Sequence, residues 1–229
     1  MKRLLIKKGI FIFLLLFVYT YGADASLLHM HIKQEQPQNE KLIKIRKKAD
    51  KAYQKKHYSK AIKLYRQSAQ MGDTLSIFTL GRSLLVGIGT KANPTEAIGY
   101  IKRAADMEVE DAYSYLGYCY MYGKGIEQDQ KEGAHWFYRA AKAGDVQSQY
   151  ELGQCYYFGR GIPKNGIEAY NWYLKAAEQG HDSAQFSLGI LYTEGKIVPV
   201  NKEEALKWLR KAAEQGNQFA ELAIYTLEN

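Results

Sequence analysis

Apolar residues recur along this chain with two superposed periods, one short and one long. From Ala112 to Tyr122 the apolar positions Leu116, Cys119 and Tyr120 are three and four residues apart, the spacing of an amphipathic helix. The long period is 36 residues: Leu80-Gly81, Leu116-Gly117, Leu152-Gly153 and Leu188-Gly189 follow one another at that interval. Ala104-Ala105, Ala140-Ala141, Ala176-Ala177 and Ala212-Ala213 keep the same step, as do Tyr100, Trp136, Trp172 and Trp208. Self-similarity at a period of about 20–50 residues marks a stacked repeat protein, because one short unit cannot bury its own apolar face. The pattern predicts an all-α fold, an α/α solenoid of stacked antiparallel helix pairs. Helix A of each pair carries Leu-Gly, and helix B carries the large aromatic residue and Ala-Ala.

Glycines and caps place the ends of these helices. Gly87-Ile88-Gly89, Gly123-Lys124-Gly125 and Gly159-Arg160-Gly161 follow helix A, where Gly takes the left-handed conformation that satisfies terminal carbonyls. The fourth copy departs, with Gly195-Lys196-Ile197. Asn93, Asp129, Asn165 and Asn201 each precede a Glu by three residues (Glu96, Glu132, Glu168, Glu204), a capping-box pattern at the start of helix B. Gly144, Gly180 and Gly216 end helix B, and Glu108 stands in that place in the first copy, which predicts a looser or different turn there. Gly81, Gly117, Gly153 and Gly189 lie inside helix A, where Gly costs about 1 kcal/mol relative to Ala, so close approach of helix B is their expected reason.

Charge is unevenly placed. The chain carries 32 Lys and Arg against 24 Asp and Glu, a net +8, but Lys41 to Arg66 alone holds eleven basic residues and only Asp50. Lys41, Lys44, Lys48, Lys51 and Lys55 recur at helical intervals opposite Leu42, Ile45, Ala49 and Ala52, which makes a basic surface on an amphipathic helix. Met1 to Ala25 reads as a secretory signal: Lys2, Arg3, Lys7 and Lys8 precede the apolar run Ile10 to Tyr19, and Ala23-Asp24-Ala25 follows. Export to the periplasm or beyond is expected. That compartment disfavours nucleic acid as the partner of the basic surface and favours acidic proteins or a weak contact with the anionic cell envelope.

The chemistry of catalysis is sparse. No Gly-x-Ser-x-Gly, Ser-x-x-Lys, His-Glu-x-x-His or phosphate-loop string occurs, so no enzyme activity, cofactor or metal is expected. His29-Met30-His31 is read as part of a flexible tail. Cys119 and Cys155 occupy the same place in adjacent copies; neighbouring helices lie about 8–10 Å apart, beyond the roughly 7 Å that a disulfide spans, which predicts two buried thiols.

The string Leu-Gly-x-x-Tyr-x-x-Gly-x-Gly-Ile at Leu116 to Ile126 and Leu152 to Ile162, followed by Trp-x-x-x-Ala-Ala at Trp136 to Ala141 and Trp172 to Ala177, resembles the Sel-1-like repeat. The resemblance spans about Asp73 to Asn217 and implies a solenoid related to tetratricopeptide arrays. In the full copies the small residues of helices A and B are 16 apart (Gly117 to Gly133), whereas Ala49 to Ala61 is 12, the tetratricopeptide spacing. The expected organisation is a signal over 1–25, a flexible segment over 26–40 and a tetratricopeptide-like capping pair over 41–72. Repeats follow at 73–108, 109–144, 145–180 and 181–216, and a closing helix at 217–229.

Family resemblance implies a monomeric adaptor that binds a protein or peptide. Cysteine-rich relatives are described as binding or hydrolysing penicillins, so the resemblance leaves a β-lactam-binding or hydrolysing enzyme as one alternative and an envelope structural component as another. The intra-repeat cysteine pairs of those relatives are missing here. In such a solenoid the first helices line the concave side, where helix A positions outside the core would point: Phe78, Arg82, Tyr118, Tyr122, Tyr150, Gln154, Phe158, Phe186 and Ile190. Aromatic residues with occasional Arg are the composition of interface hot spots. The same rings would also serve to pack successive repeats together, and the sequence leaves both roles open.

Overall fold

The computed structural model describes the backbone of residues 25–229 and the side chains of residues 39–229. Residues 1–24 of the signal segment lie outside the described residues, as do the side chains of His29, Met30 and His31. Among the described residues there are eleven α-helices and no strand. They pair in chain order: α1 (Ala25–Gln54) with α2 (Tyr58–Gln70), α3 (Thr74–Val86) with α4 (Pro94–Asp106), α5 (Asp111–Tyr122) with α6 (Gln130–Lys142). Next come α7 (Val146–Phe158) with α8 (Gly166–Glu178), α9 (Asp182–Glu194) with α10 (Lys202–Glu214), and the single α11 (Gln218–Glu228). Each helix packs on its chain neighbours, most closely within a pair.

Helix α1 departs from the expected flexible segment 26–40, since one unbroken helix runs through it from Ala25. The stretch Ile32 to Lys48 is rich in Gln, Glu, Lys, Leu and Ile and has no Gly, which favours helix, and Pro37 forgoes one backbone donor within it.

The A-to-B connection shares three hydrogen bonds in all four repeats. Gly87, Gly123, Gly159 and Gly195 are left-handed and donate back to the carbonyls of Ser83, Cys119, Cys155 and Leu191. The backbone N–H groups of Asn93, Asp129, Asn165 and Asn201 then donate to Leu84, Tyr120, Tyr156 and Tyr192 at 2.8–3.0 Å. Their side chains accept from the amides of Glu96, Glu132, Glu168 and Glu204. Only this half of the capping box forms, because the N–H that Glu would take in the other half is already held by helix A.

The second Gly of each Gly-x-Gly has a further reason. A Cβ on Gly89 would stand 2.5 Å from the Tyr58 carbonyl carbon, and one on Gly125 or Gly161 would strike the backbone of Pro94 or Gln130. Each of these contacts reaches the first residue of the preceding helix B. In the fourth copy the two sizes are exchanged: Ile197 replaces the Gly, and the residue beneath it is Gly166, whose Cβ would lie 2.7 Å from Ile197 Cγ1.

Glu108 overturns the expectation of a looser turn. It is left-handed, with φ +59°, and donates to Ala105 while Val109 donates to Ala104, both at 3.0 Å. Gly144 and Asp145 make the same pair of bonds to Ala141 and Ala140. The turn is unchanged, and a side chain is held where it costs about 1–2 kcal/mol.

The core runs the length of the stack. Leu80, Leu116, Leu152 and Leu188 are buried, as are Ala104, Ala140, Ala176 and Ala212. Trp172 and Trp208 are buried; Tyr100 and Trp136 are half-buried against the same core. Gln179 donates to Gln149 at 2.7 Å and Gln215 to Gln185 at 2.8 Å. The accepting glutamines are buried and donate in turn to Ala141 and Ala177, which fixes the register of successive repeats. Cys119 and Cys155 are buried and unbridged.

Candidate functional site

The helix A residues singled out in the sequence divide into three groups. At the N-terminal end Phe78 belongs to the core: it is 7% exposed and packs edge-on against Tyr115 at 5.4 Å, with the Arg82 guanidinium 5.9 Å from its ring. In the middle, Tyr118 and Tyr122, one turn apart on α5, stack obliquely at 4.9 Å and are 47% and 43% exposed. Tyr118 borders an open hollow of about 470 Å³ with Leu85, Val86, Tyr115 and Glu151.

The remaining five come together. Tyr150, Gln154 and Phe158 recur every four residues on α7, and Phe186 and Ile190 face them one turn apart on α9. All five line one cavity of about 250 Å³. Helical spacing alone put each wall on one face; the cavity exists because α9 packs beside α7 at a distance that leaves their outer rows apart. Sequence reasoning missed Tyr157, Tyr173, Ser187 and Leu191, which complete the lining. Tyr173 is the residue after the core Trp172, and only the packing of α8 behind α7 shows that its ring reaches the cavity.

Polar groups order this apolar lining. Gln154 donates to the Tyr150 hydroxyl at 3.0 Å. Burial pushes the Tyr150 and Tyr122 phenols above their ordinary range, so both stay neutral at physiological pH. Phe158 is 53% exposed, with Tyr157 edge-on at 4.9 Å and the Arg160 guanidinium 4.9 Å from its ring, inside cation–π range.

His181 ties the two walls. Its ring stacks on Tyr150 at 4.6 Å, and its Nδ1 accepts from the Ala184 N–H, capping α9. Nε2 therefore carries the proton and donates to Gln147 of α7 at 3.0 Å. Burial holds this imidazole below its usual pKa against the opposing pull of Asp182 and Glu151. Asp73, Asp145 and Asn217 make the corresponding side-chain caps and Glu110 makes none, so His181 is the one helix A cap built on an imidazole among the described residues.

The basic surface is also redrawn. Arg46 pairs with the buried Asp73 at 2.8 Å and Arg66 with Glu96 at 2.7 Å, so both arginines fasten the first helix pair to the next. Lys44 pairs with Glu40 at 3.6 Å where both are exposed, and Lys41 is exposed beside them. Lys48 and Lys51 of α1 and Lys55 of the turn after it surround another hollow together with Lys60 of α2, which the helical count did not reach.

No group of three or more metal-ligating side chains is arranged to hold an ion among the described residues, and no described helix is long and apolar enough to cross a membrane. Burial raises the Cys119 thiol to about 11 and Cys155 to about 12, which leaves both protonated and poorly nucleophilic at neutral pH.

A sequence model of the Sel1 repeat matches residues 53–73, 75–109, 110–145, 146–181 and 182–217, so its first match falls on the turn and second helix of the α1–α2 pair. A search of the curated proteins gives no match. Among solved structures the chain is similar to a protective antigen of uropathogenic Escherichia coli strains displaying an SLR fold. That likeness has 29% identity and a TM-score of 0.70, over 74% of this chain and 36% of that one. A Sel1 repeat protein from Oxalobacter formigenes is similar at 31% identity and TM-score 0.65, over 71% and 66% of the two chains. One from Klebsiella pneumoniae shares the fold, at 19% identity and TM-score 0.51, over 86% and 98%. The chain thus spans about a third of the first relative and just under two thirds of the second. Sel1 repeat proteins are generally non-enzymatic scaffolds for protein interactions. With five successive matches running through its stacked helix pairs, this chain belongs to the Sel1 repeat family.

Proposed function

We propose that the chain is an exported adaptor that holds a partner protein or peptide on the concave, helix A side of the stack, anchored in the cavity between α7 and α9. One observation carries the reading: five helix A residues selected by position alone line a single apolar cavity, with Phe158, Tyr118 and Tyr122 exposed along the approach to it. A volume of about 250 Å³ suits one or two apolar side chains of a partner, with Gln154 available at the rim. Interface energy concentrates in such anchors, and truncating one costs on the order of 2 kcal/mol or more. Export rests on the basic and apolar pattern of residues 1–25.

The test is affinity capture from the exported fraction with wild type and with a Gln154→Ala, Phe158→Ala, Ile190→Ala variant whose helicity and melting are unchanged. A protein retained by wild type and lost by the variant supports the reading. Equal capture by both, or capture by neither, contradicts it.

A further inference from the structure

The lysines of the first helix pair form a surface that the groove does not use. Lys48 and Lys51 on α1, Lys55 in the turn that follows it and Lys60 on α2 border one open hollow of about 600 Å³, together with His57, Ala52 and Leu64. No acidic residue lines it. Asp50, the one acid between Lys41 and Arg66, accepts from the Tyr65 hydroxyl at 2.8 Å and is committed to the α1–α2 packing. The two arginines of the segment are committed as well, Arg46 to Asp73 and Arg66 to Glu96. The fold thus sorts its cations: planar guanidinium groups make fixed internal pairs, and flexible ammonium groups remain on the outside.

We propose that this lysine face docks the molecule on a bilayer surface rich in anionic phospholipid. Lysine suits that partner because it acts as a mobile point charge, whereas readout of fixed phosphates or carboxylates favours bidentate Arg. The face lies at the C-terminal end of α1, about 35 Å along the helix from Ala25, so it is a surface of the folded body distinct from the apolar run Ile10 to Tyr19. Attraction of a lysine to an anionic surface strengthens binding about fivefold per residue and dies away within a Debye length of about 8 Å. Four lysines therefore give reversible, salt-sensitive docking, independent of whatever the groove holds.

Vesicle co-sedimentation of the full chain tests this. Wild type is compared with Lys48→Gln, Lys51→Gln, Lys55→Gln, Lys60→Gln, and with a charge-matched control, Lys124→Gln, Lys131→Gln, Lys142→Gln, Lys202→Gln, on the repeats. Vesicles of 30% phosphatidylglycerol are set against pure phosphatidylcholine, and the leader's own cations, Lys2, Arg3, Lys7 and Lys8, contribute equally in all three proteins. At 50 mM NaCl wild type and the control variant should bind the anionic vesicles at least tenfold better than the neutral ones. The face variant should bind the anionic vesicles at least tenfold more weakly than the control variant, and 500 mM NaCl should remove that difference. Equal preference in the face and control variants, no preference in wild type, or tighter binding of wild type to duplex DNA than to the anionic vesicles would each overturn the proposal.

Discussion

Replacing Gly117 by Ala tests why a helix-destabilising residue sits at the centre of every repeat. An ideal Cβ on Gly117 would lie 2.5 Å from Cδ1 and 2.7 Å from Cε1 of Phe137. Phe137 is buried in a cluster with Met121, Ala134, Leu152 and Trp172, so its ring can yield only toward the hollow it lines with Tyr115 and Tyr118. Over-packing of such a site costs about 1–3 kcal/mol, while Ala in place of Gly returns up to about 1 kcal/mol of helix propensity. With the full helix-propensity return the net is a loss of up to about 2 kcal/mol, or up to roughly 8 °C in melting midpoint for a chain of this size. Gly99 supplies the internal control, since it is also helical but has nothing within 4 Å of its would-be Cβ. Gly99→Ala should raise the midpoint by about 2–3 °C, the same substitution with the opposite sign. Thermal unfolding followed by circular dichroism reads both. A Gly117→Ala protein that melts at or above wild type would refute close packing as the reason for the Gly. Recovery in Gly117→Ala, Phe137→Leu would identify the ring as the obstacle.

Three further outcomes are expected. Glu108→Gly should stabilise the protein by about 1 kcal/mol by relieving the left-handed backbone, read as a higher denaturation midpoint; an unchanged or lower midpoint contradicts this. Gly166→Gln should destabilise by on the order of 1–3 kcal/mol because Ile197 fills that space, and Gly166→Gln, Ile197→Gly should recover much of it, as the Gly161–Gln130 arrangement does. A double variant no better than the single one would refute the exchange. For His181 the folded pKa lies below the ordinary 6.5, so the unfolded chain binds more protons between the two values. Its stabilisation is full above about pH 6.5 and is lost as pH falls from there toward the lowered folded value. The melting point should drop over that window and drop less in His181→Asn, which caps α9 without titrating; identical slopes in both proteins would contradict the role.

Much of this molecule was legible because a repeat prints its packing rules several times. The 36-residue step gave the helix pairs, and the helix A Gly gave the close approach that Phe137, Tyr173 and Leu209 now show. What stayed hidden depends on contacts between copies. The second Gly of Gly-x-Gly reads as a helix stop, yet its tightest neighbours lie 31 residues back, at Tyr58, Pro94 and Gln130. The exchange of sizes at Ile197 and Gly166 follows from the same offset and is invisible without it. Glu108 was misread because composition suggests a different turn where two hydrogen bonds impose the usual one. At the candidate site, helical spacing assembled each wall, but it did not separate Phe78, which Tyr115 covers, from Phe158, which remains exposed. Nor did it bring Lys60 of α2 to the lysines of α1, a neighbourhood created by the turn at His57.

The adaptor reading is tested most directly by site-specific photo-crosslinking in the producing cell. A benzoylphenylalanine at Phe158, beside the α7–α9 cavity, is compared with one at Tyr138 on helix B, which is exposed to a similar degree. Crosslinking of a discrete partner from position 158 and not from 138 is the predicted result. Equal crosslinking at both positions, or adducts from 138 alone, would contradict a binding site on the helix A face.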